Sequence, residues 1–138
     1  DGTQSARAMT MAMNNAGVKP EDIDYIHAHG SSTQLNEKSE TLSIKKALGE
    51  YAYKIPVNSI KSMIGHPLGS AGAFQAISNC LVMRDNIIFP TINYENPDPN
   101  CDLDCVPNIA REKKVDIILQ NSSGFSGVNA ALIYKRYK

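Results

Sequence analysis

The stretch KIPVNSIKSMIGHPLGSAGAF, residues 54–74, holds a predicted strand that passes directly into a predicted helix. Its first part, Lys54–Ile60, is rich in β-branched residues, which favour a strand. From residue 67 to about residue 84 the spacing is helical, and the first turns are crowded with small residues. Each Gly costs a helix about 1 kcal/mol relative to Ala, so this crowding indicates that another backbone approaches closely. We therefore predict that the helix at 67–84 is buried.

Helices and strands alternate on both sides of this stretch. Upstream, the spacing of apolar residues predicts helices at 4–16 and 37–48, with a short strand at Ile23–Ala28 between them. Downstream, the predicted strands are Ile87–Asn93, Lys114–Leu119 and Ala130–Tyr137. The connection at 94–108 is long enough to be functional or to pack over the domain. This order predicts an α/β layered sheet in one domain spanning residues 1–138.

The composition excludes several classes of protein. Lys plus Arg and Asp plus Glu both number 14 in the 138 residues, and this balance argues against nucleic acid or an anionic membrane surface as the main partner. No apolar run approaches the roughly 18–20 residues of a membrane span. Three cysteines at irregular spacing are not a disulfide framework and favour a reducing, cytoplasmic compartment. The start at Asp1, without a Met, indicates a cut or processed end.

Two histidines stand at the end of the strand predicted at 23–28. His27 and His29, two residues apart, point to the same face if the strand extends that far. One interpretation is a buried, satisfied histidine beside an exposed one. A metal site is another interpretation, but it needs a third ligand, and no acidic residue or cysteine stands at a recognisable interval.

A lysine and a histidine flank the passage from strand to helix. His66 would sit just before the helix at 67–84, whose positive end keeps an imidazole neutral. A neutral imidazole can donate a hydrogen bond from Nε2 to an oxyanion. A surface Lys61 with a capping His66 is the simpler interpretation. A phosphate-binding loop is disfavoured because the Gly-Lys-Ser/Thr pattern is absent.

The turn Gly124-Phe125-Ser126-Gly127 places an aromatic residue between glycines and joins the last two predicted strands. Phe125 could pack on the core, and taken alone this is the better interpretation. It could also be a movable gate at a pocket.

Together these features carry a family resemblance. Family motifs are matched at His29–Thr33, Asn36–Thr41, Lys61–His66, Leu68–Gly72, Pro90–Asn93, Cys101–Asp104 and Asn121–Asn129. The chain resembles the β-ketoacyl-acyl carrier protein synthases, most closely the type II elongating synthases of bacterial fatty acid and polyketide assembly, over essentially all of its length. The resemblance implies a thiolase-like layered fold. Residues 1–138 would be its C-terminal half, the αβα part of an αβαβα arrangement, and incomplete alone.

The resemblance also implies a reaction. In this family an acyl chain is held on a Cys thiolate, malonyl carried on acyl carrier protein loses carbon dioxide, and the resulting enolate attacks the acyl thioester. His29 and His66 would hydrogen-bond the malonyl thioester oxygen and stabilise the enolate. Lys61 would pair with Glu40 and orient the site, since a buried lysine needs a partner. His27 falls where the family has a non-catalytic residue and receives no role.

Substrate contacts are implied at three positions. Phe125 would be the gate between the acyl pocket and the malonyl side, and Thr33 and Gly124 would contact substrate. The closing motif departs from the family at three positions, with Ser123 for an aromatic residue, Ser126 for a glycine and Val128 for a threonine. Glycine marks positive φ or close approach, so Ser126 is expected to restrict how Phe125 swings.

The family's nucleophile is not found in this chain. Cys80 lies inside an apolar helix, and acidic neighbours raise the pKa of the thiols of Cys101 and Cys105. We expect the N-terminal half of the synthase, with the nucleophile, as a partner, and a homodimer or heterodimer. The further implied partners are acyl carrier protein and acyl and malonyl thioesters, with no cofactor and no metal. The central strand should precede Asp1, so the strands at 23–28 and 114–119 would lose a shared neighbour and residues 1–138 would fold poorly alone.

Three functions remain open. The first is an elongating condensing enzyme. The second is a malonyl decarboxylase or initiating synthase with a replaced nucleophile, and it differs from the first only upstream of Asp1. The third is a non-catalytic chain-length-factor-like subunit, which retention of His29, Lys61 and His66 disfavours.

Overall fold

The structure is a computed structural model that describes residues 2–137. Its helices are α1 (Thr3–Ala16), α2 (Gln34–Leu48), α3 (Lys61–Ile64) and α4 (Ala71–Asp85). Its strands are β1 (Tyr25–His27), β2 (Val57–Asn58), β3 (Ile87–Ile88), β4 (Arg111–Glu112), β5 (Ile117–Ser123) and β6 (Asn129–Lys135). Short 3₁₀ segments occupy Pro20–Asp22, Gly49–Tyr53, Leu68–Ser70 and Phe125–Gly127.

The main sheet has four strands in the order β2-β1-β5-β6. β1 is parallel to both of its neighbours, and β5 and β6 form an antiparallel hairpin. The expectation that the strands at 23–28 and 114–119 lose a shared neighbour is wrong. Tyr25 pairs with Ile118 and Ile26 with Leu119, so β1 and β5 are themselves adjacent. No strand lies between them, because the buried apolar residues of β1 pair directly with those of β5.

Most predicted elements are present, with shifted ends. The helix predicted at 4–16 is α1, and the one predicted at 37–48 is α2, which starts earlier because Thr33 caps it by accepting from the Asn36 N–H at 3.3 Å. The strand predicted at Lys54–Ile60 pairs only at Val57–Asn58. The strand predicted at Ile87–Asn93 ends at Ile88, shortly before Pro90, which has no N–H to donate to a ladder.

Two apolar clusters cover the two faces of the main sheet. Residues of α1 and α2 pack with Ile26 and Leu119 on one face. Residues of α4 pack with Tyr25 and Ile118 on the other. Successive strand residues point to opposite faces, so each neighbouring pair supplies both clusters. The result is the αβα layering expected from the sequence.

Helix α4 departs from its prediction. Its inner face is buried, but Phe74, Ile77 and Leu81 on the outer face are 46%, 62% and 44% exposed. A Cβ added at Gly69 or Gly72 would meet no atom within 4 Å. Within residues 2–137, therefore, no backbone makes the close approach that the small residues predicted, and α4 is buried on one side only. No helix in this part of the chain is both long enough and apolar enough to cross a membrane.

Candidate active site

The candidate site lies at the carboxyl ends of β1 and β5, beside the segment that leads into α4. A cavity of about 980 Å³ opens there. Of the predicted site residues, six line it, namely His29, Thr33, Glu40, His66, Gly124 and Phe125. Lys61 is the predicted site residue that stands behind the cavity wall. The fold thus gathers side chains from four separate stretches of sequence at one edge of the sheet.

Glu40 holds the main chain that carries His29. Its buried carboxylate accepts the His29 N–H at 2.7 Å and the Gly30 N–H at 2.8 Å. Gly30 makes this turn possible because its φ is +50° and a Cβ there would lie 2.5 Å from Cβ of Ser59. Only a glycine therefore fits between His29 and the neighbouring strand end.

Lys61 binds the carbonyl oxygen of His29, whereas Glu40 binds its N–H. Its buried ammonium donates to the carbonyl oxygen of His29, and burial lowers the pKa of Lys61 while Glu40 and Glu37 oppose that shift. The expected pairing of Lys61 with Glu40 is therefore one of charge, because Glu40 favours the ammonium form of Lys61 while the ammonium itself hydrogen-bonds the backbone. The peptide groups on either side of His29 lie between the two charges, so the lysine and the carboxylate act on the main chain of His29 from opposite sides.

The ring of His29 is fixed as a donor at Nε2. Its Nδ1 accepts the Ser123 N–H at 3.2 Å, so the proton of the neutral ring is on Nε2. Burial, together with the nearby Lys61 and His66, lowers the pKa of His29 from 6.5 to about 4. His29 is therefore neutral near neutral pH, and Nε2 has no partner among residues 2–137.

His66 has the same arrangement. Its Nδ1 accepts the Leu68 N–H at 3.1 Å, and this again places the proton on Nε2. Its ring is exposed, and the centroids of the two imidazoles are 5.3 Å apart at an interplanar angle of 72°. Two imidazole donors held by main-chain N–H groups thus line one cavity.

His27 is bound at both of its ring nitrogens. Nδ1 lies 2.7 Å from Oδ1 of Asn79, and Nε2 accepts the Ile60 N–H at 3.2 Å. Burial is the main reason why the pKa of His27 is lowered to about 4. His27 is therefore a satisfied core histidine. Within the described part of the chain, no group of three or more His, Cys, Asp or Glu side chains is arranged to hold a metal ion.

The turn after β5 exposes its aromatic residue. Phe125 is 90% exposed, so it does not pack on the core of this chain. Ser126 has a φ of +66°, where the family pattern has glycine, and the Gly124 N–H donates to the Val128 carbonyl oxygen at 2.8 Å. The turn therefore presents Phe125 at the cavity from a closed backbone loop.

The sequence analysis missed two kinds of contact. The first comprises the main-chain donors of Ser123 and Leu68, which no side-chain pattern can reveal. The second is Asn121, a fully buried residue on β5 that donates to Glu40 at 2.8 Å. The signal for Asn121 was a polar residue at the end of an apolar strand, inside a motif that matched the family.

A layered αβα sheet whose carboxyl edge presents two imidazole donors is what a thiolase-fold condensing enzyme would have in its C-terminal half. The family described as "Beta-ketoacyl synthase, C-terminal domain" matches residues 1–95. The chain belongs to this β-ketoacyl synthase family.

Full-length relatives are about three times as long as this chain. It is 48% identical over 138 residues to 3-oxoacyl-acyl-carrier-protein synthase 2 of Synechocystis sp., covering 100% of this chain and 33% of that protein. It is also 48% identical over 138 residues to the tetracenomycin polyketide synthase ketoacyl synthase alpha subunit of Streptomyces glaucescens, covering 100% of this chain and 32% of that protein. The chain thus spans about a third of these relatives.

Solved structures share the fold. One, described as a type II PKS acyl-carrier protein in complex with its ketosynthase bound to the hexaketide, superimposes with a TM-score of 0.97 at 43% identity, over 100% of this chain and 34% of that chain. The ishigamide ketosynthase/chain length factor superimposes with a TM-score of 0.93 at 42% identity, over 97% of this chain and 33% of that chain.

Proposed function

We propose that this chain is the C-terminal ketosynthase domain of a 3-oxoacyl-acyl-carrier-protein synthase of fatty acid or polyketide biosynthesis. The protein would join malonyl, carried by acyl carrier protein, to an acyl thioester with loss of carbon dioxide. The observation that carries the proposal is the pair of imidazoles, each with Nδ1 occupied by a main-chain N–H and Nε2 left to donate.

The chemistry assigned to this chain is decarboxylation. The bond between the malonyl carboxylate and Cα breaks, carbon dioxide leaves, and the electron pair moves through Cα to the thioester oxygen. His29 and His66 donate from Nε2 to that oxygen as its negative charge develops. Donors fixed in advance stabilise such charge without reorganisation. No proton is transferred, so the neutral state of His29 suits the step.

Condensation follows from the enolate. Its carbon attacks the carbonyl carbon of the acyl group held on the synthase nucleophile, a carbon–carbon bond forms, and the carbon–sulfur bond breaks to return the thiolate. The N-terminal half would supply that nucleophile. Phe125 would separate the acyl and malonyl sides, while Thr33 and Gly124 would contact the bound thioester arm at the cavity.

Partners follow from the same assignment. Acyl carrier protein would deliver the malonyl group, in keeping with the complex reported for the structural neighbour. The outer face of α4, with Phe74, Ile77 and Leu81, would be covered by the N-terminal half. The full-length synthase would act as a homodimer or heterodimer in the cytoplasm and would use no cofactor. A malonyl decarboxylase or initiating synthase is the second candidate, because the residues present here serve decarboxylation alone.

The test uses the full-length parent with malonyl carried on acyl carrier protein, with and without an acyl thioester. We expect His29→Ala and His66→Ala each to lower the rate of carbon dioxide release by about 100-fold or more, because each removes one donor to the enolate oxygen. Circular dichroism should show an intact fold in both variants.

Phe125→Ala is the matched comparison, because it changes the cavity without touching either imidazole. It should lower condensation more than decarboxylation. Undiminished carbon dioxide release in both histidine variants would overturn the roles given to the two histidines. Decarboxylation without condensation in the unmodified parent would favour the second candidate.

A further inference from the structure

A buried asparagine on β5 bonds to the carboxylate that holds His29. Asn121 is 0% exposed, and its Nδ2 donates to Oε1 of Glu40 at 2.8 Å. The same Oε1 accepts the His29 N–H at 2.7 Å. One carboxylate oxygen therefore bonds both to the amide of Asn121 and to the backbone of His29.

The orientation of the Asn121 amide is fixed by the Glu40 carboxylate, which only accepts hydrogen bonds. The hydroxyl of Ser5, at the start of α1, can donate or accept, and here it donates to Oδ1 of Asn121 at 3.2 Å. An amide turned the other way would set its oxygen against the Glu40 carboxylate. The nitrogen of Asn121 must therefore face Glu40, where a charge-assisted hydrogen bond forms.

Asn121 also stands close to the second support of His29. Two residues further along β5, the Ser123 N–H donates to Nδ1 of the His29 ring. The strand thus reaches His29 twice, once at the ring and once at the backbone through Glu40. If the Asn121–Glu40 bond were lost, the carboxylate would keep the N–H donors of His29, Gly30 and Asn36 but would lose its anchor on the sheet.

We propose that Asn121 is a positioning residue that acts through Glu40 to hold the main chain of His29, and so to aim Nε2 at the thioester oxygen. The inference rests on the proposed function for its effect on rate, whereas the positioning itself can be measured without any reaction. Small misplacements of a catalytic group can cost about 100-fold in rate, so the effect should be large for a residue that touches no substrate.

The test compares two buried asparagines in the full-length parent. Asn121→Ala removes the donor to Glu40. Asn79→Ala is the matched control, because Asn79 is also 0% exposed and also forms two side-chain hydrogen bonds, but to His27 and Gln120 rather than to Glu40. Both variants leave a similar buried gap, and only one touches the support of His29.

Hydrogen exchange at the amides of His29 and Gly30 is the readout that does not depend on activity. We expect exchange at these two amides to be faster by about tenfold or more in Asn121→Ala, with little change at Ile118 and Leu119 in the core, because local opening raises exchange locally. Asn79→Ala should leave the two amides unchanged. Equal exchange at His29 and Gly30 in Asn121→Ala and the parent would overturn the proposal.

Kinetics supply the second readout. In Asn121→Ala the kcat for malonyl decarboxylation should fall by about tenfold to 100-fold with little change in KM, because the donor is misaimed while substrate binding is retained. If the parent releases no carbon dioxide but the exchange result holds, the proposed function fails and the positioning role stands. If exchange rises while kcat is unchanged, Asn121 holds the backbone without aiming the ring and the proposal fails.

A second substitution covers the case in which Asn121→Ala does not fold. Asn121→Asp keeps the size of the side chain and the acceptor for Ser5, but sets a carboxylate against that of Glu40. Near neutral pH, repulsion between the two should open the amides of His29 and Gly30 at least as much as the alanine variant. Unchanged exchange in Asn121→Asp would equally overturn the proposal.

Discussion

His29 shows how one residue joins burial, charge and function. Glu40 and Lys61 fix its backbone from opposite sides, and Ser123 fixes its ring. Burial, the Lys61 ammonium and the nearby His66 keep the ring neutral. The same surroundings that make it a donor at Nε2 therefore make its protonation costly to the folded state.

The pH dependence of stability follows from this cost. The pKa of His29 is about 4 in the fold against an ordinary value of 6.5, so the unfolded chain binds the proton more tightly. Stability due to a neutral His29 is complete above the unfolded value and is lost as the pH falls from about 6.5 to about 4. We expect the free energy of unfolding of the parent to decrease across this window.

Denaturant unfolding at about pH 7, 5.5 and 4.5 would measure this loss. His29→Gln should lose less stability across the window than the parent, because one of the groups that must be protonated is gone. Comparing the two also removes the contributions of His27, whose pKa burial lowers to about 4, and of Glu37, whose pKa burial raises. Parallel pH profiles for the two proteins would contradict the prediction.

At the level of elements, helices were easier to predict than strands. The apolar spacing and the glycines that follow gave α1 and α2 to within a few residues. The β-branched run at Lys54–Ile60 predicted a longer strand than β2, because a ladder needs a partner along its whole length and sequence does not show where the partner ends. The direct pairing of β1 with β5 depends on tertiary packing, so local sequence could not reveal it.

In the candidate site, too, some features could be predicted from the sequence and others could not. Side chains that belong to a motif, such as His29, Lys61 and His66, were found from sequence, and the fold brings them together. The main-chain N–H groups that bind the two imidazoles were not found, because every residue except proline has such a group and a sequence motif cannot indicate it. The hydrogen bond from Lys61 to the carbonyl oxygen of His29 was missed for a related reason, since that oxygen belongs to the backbone.

The turn that bears Phe125 makes a prediction about local motion. Ser126 has a φ of +66°, a conformation that costs most residues about 1 kcal/mol or more but not glycine. Replacing Ser126 by glycine should remove this cost and stabilise the observed turn, and hydrogen exchange at Gly124–Gly127 should become slower. Ser126→Ala keeps the Cβ and is the control, which should leave exchange at its parental rate. An equal response of the two variants would show that the serine hydroxyl, not the backbone restriction, holds the turn.

At the level of the whole molecule, the most telling feature is the outer face of α4. Phe74, Ile77 and Leu81 are exposed on a helix whose first turns are built of small residues. Contiguous apolar patches of this kind mark interaction sites. The small residues and the apolar face together fit a second layer of protein against α4, as the proposed N-terminal half requires.

The isolated chain should therefore behave differently from the parent. We expect residues 1–138 alone to bind a hydrophobic dye and to unfold without a sharp transition, because the α4 face stays in water. Phe74→Ser with Ile77→Ser should reduce dye binding by the isolated chain but lower the stability of the parent by about 2 kcal/mol or more, as loss of buried apolar area does.

Ile109→Ser is the control, since Ile109 is 79% exposed and is not part of α4. It should change neither dye binding nor the stability of the parent appreciably. A sharp, cooperative melt of the isolated chain without dye binding would contradict the expectation that the α4 face needs a partner.

The main-chain bonds to His29 and His66 bear on which mutations the site tolerates during evolution. The protons of both rings are placed by the backbone N–H groups of Ser123 and Leu68, so neither donor is supplied by a side chain. Position 68 is still restricted, because Leu68 has a φ of +49°. Any amino acid except proline preserves the donor. Ser123 can thus replace the aromatic residue of the family pattern and reshape the cavity wall without altering the tautomer of His29. Substrate range and catalytic chemistry can then diverge independently at position 123, where a saturation library should be largely active and proline, which removes the donor, should be inactive.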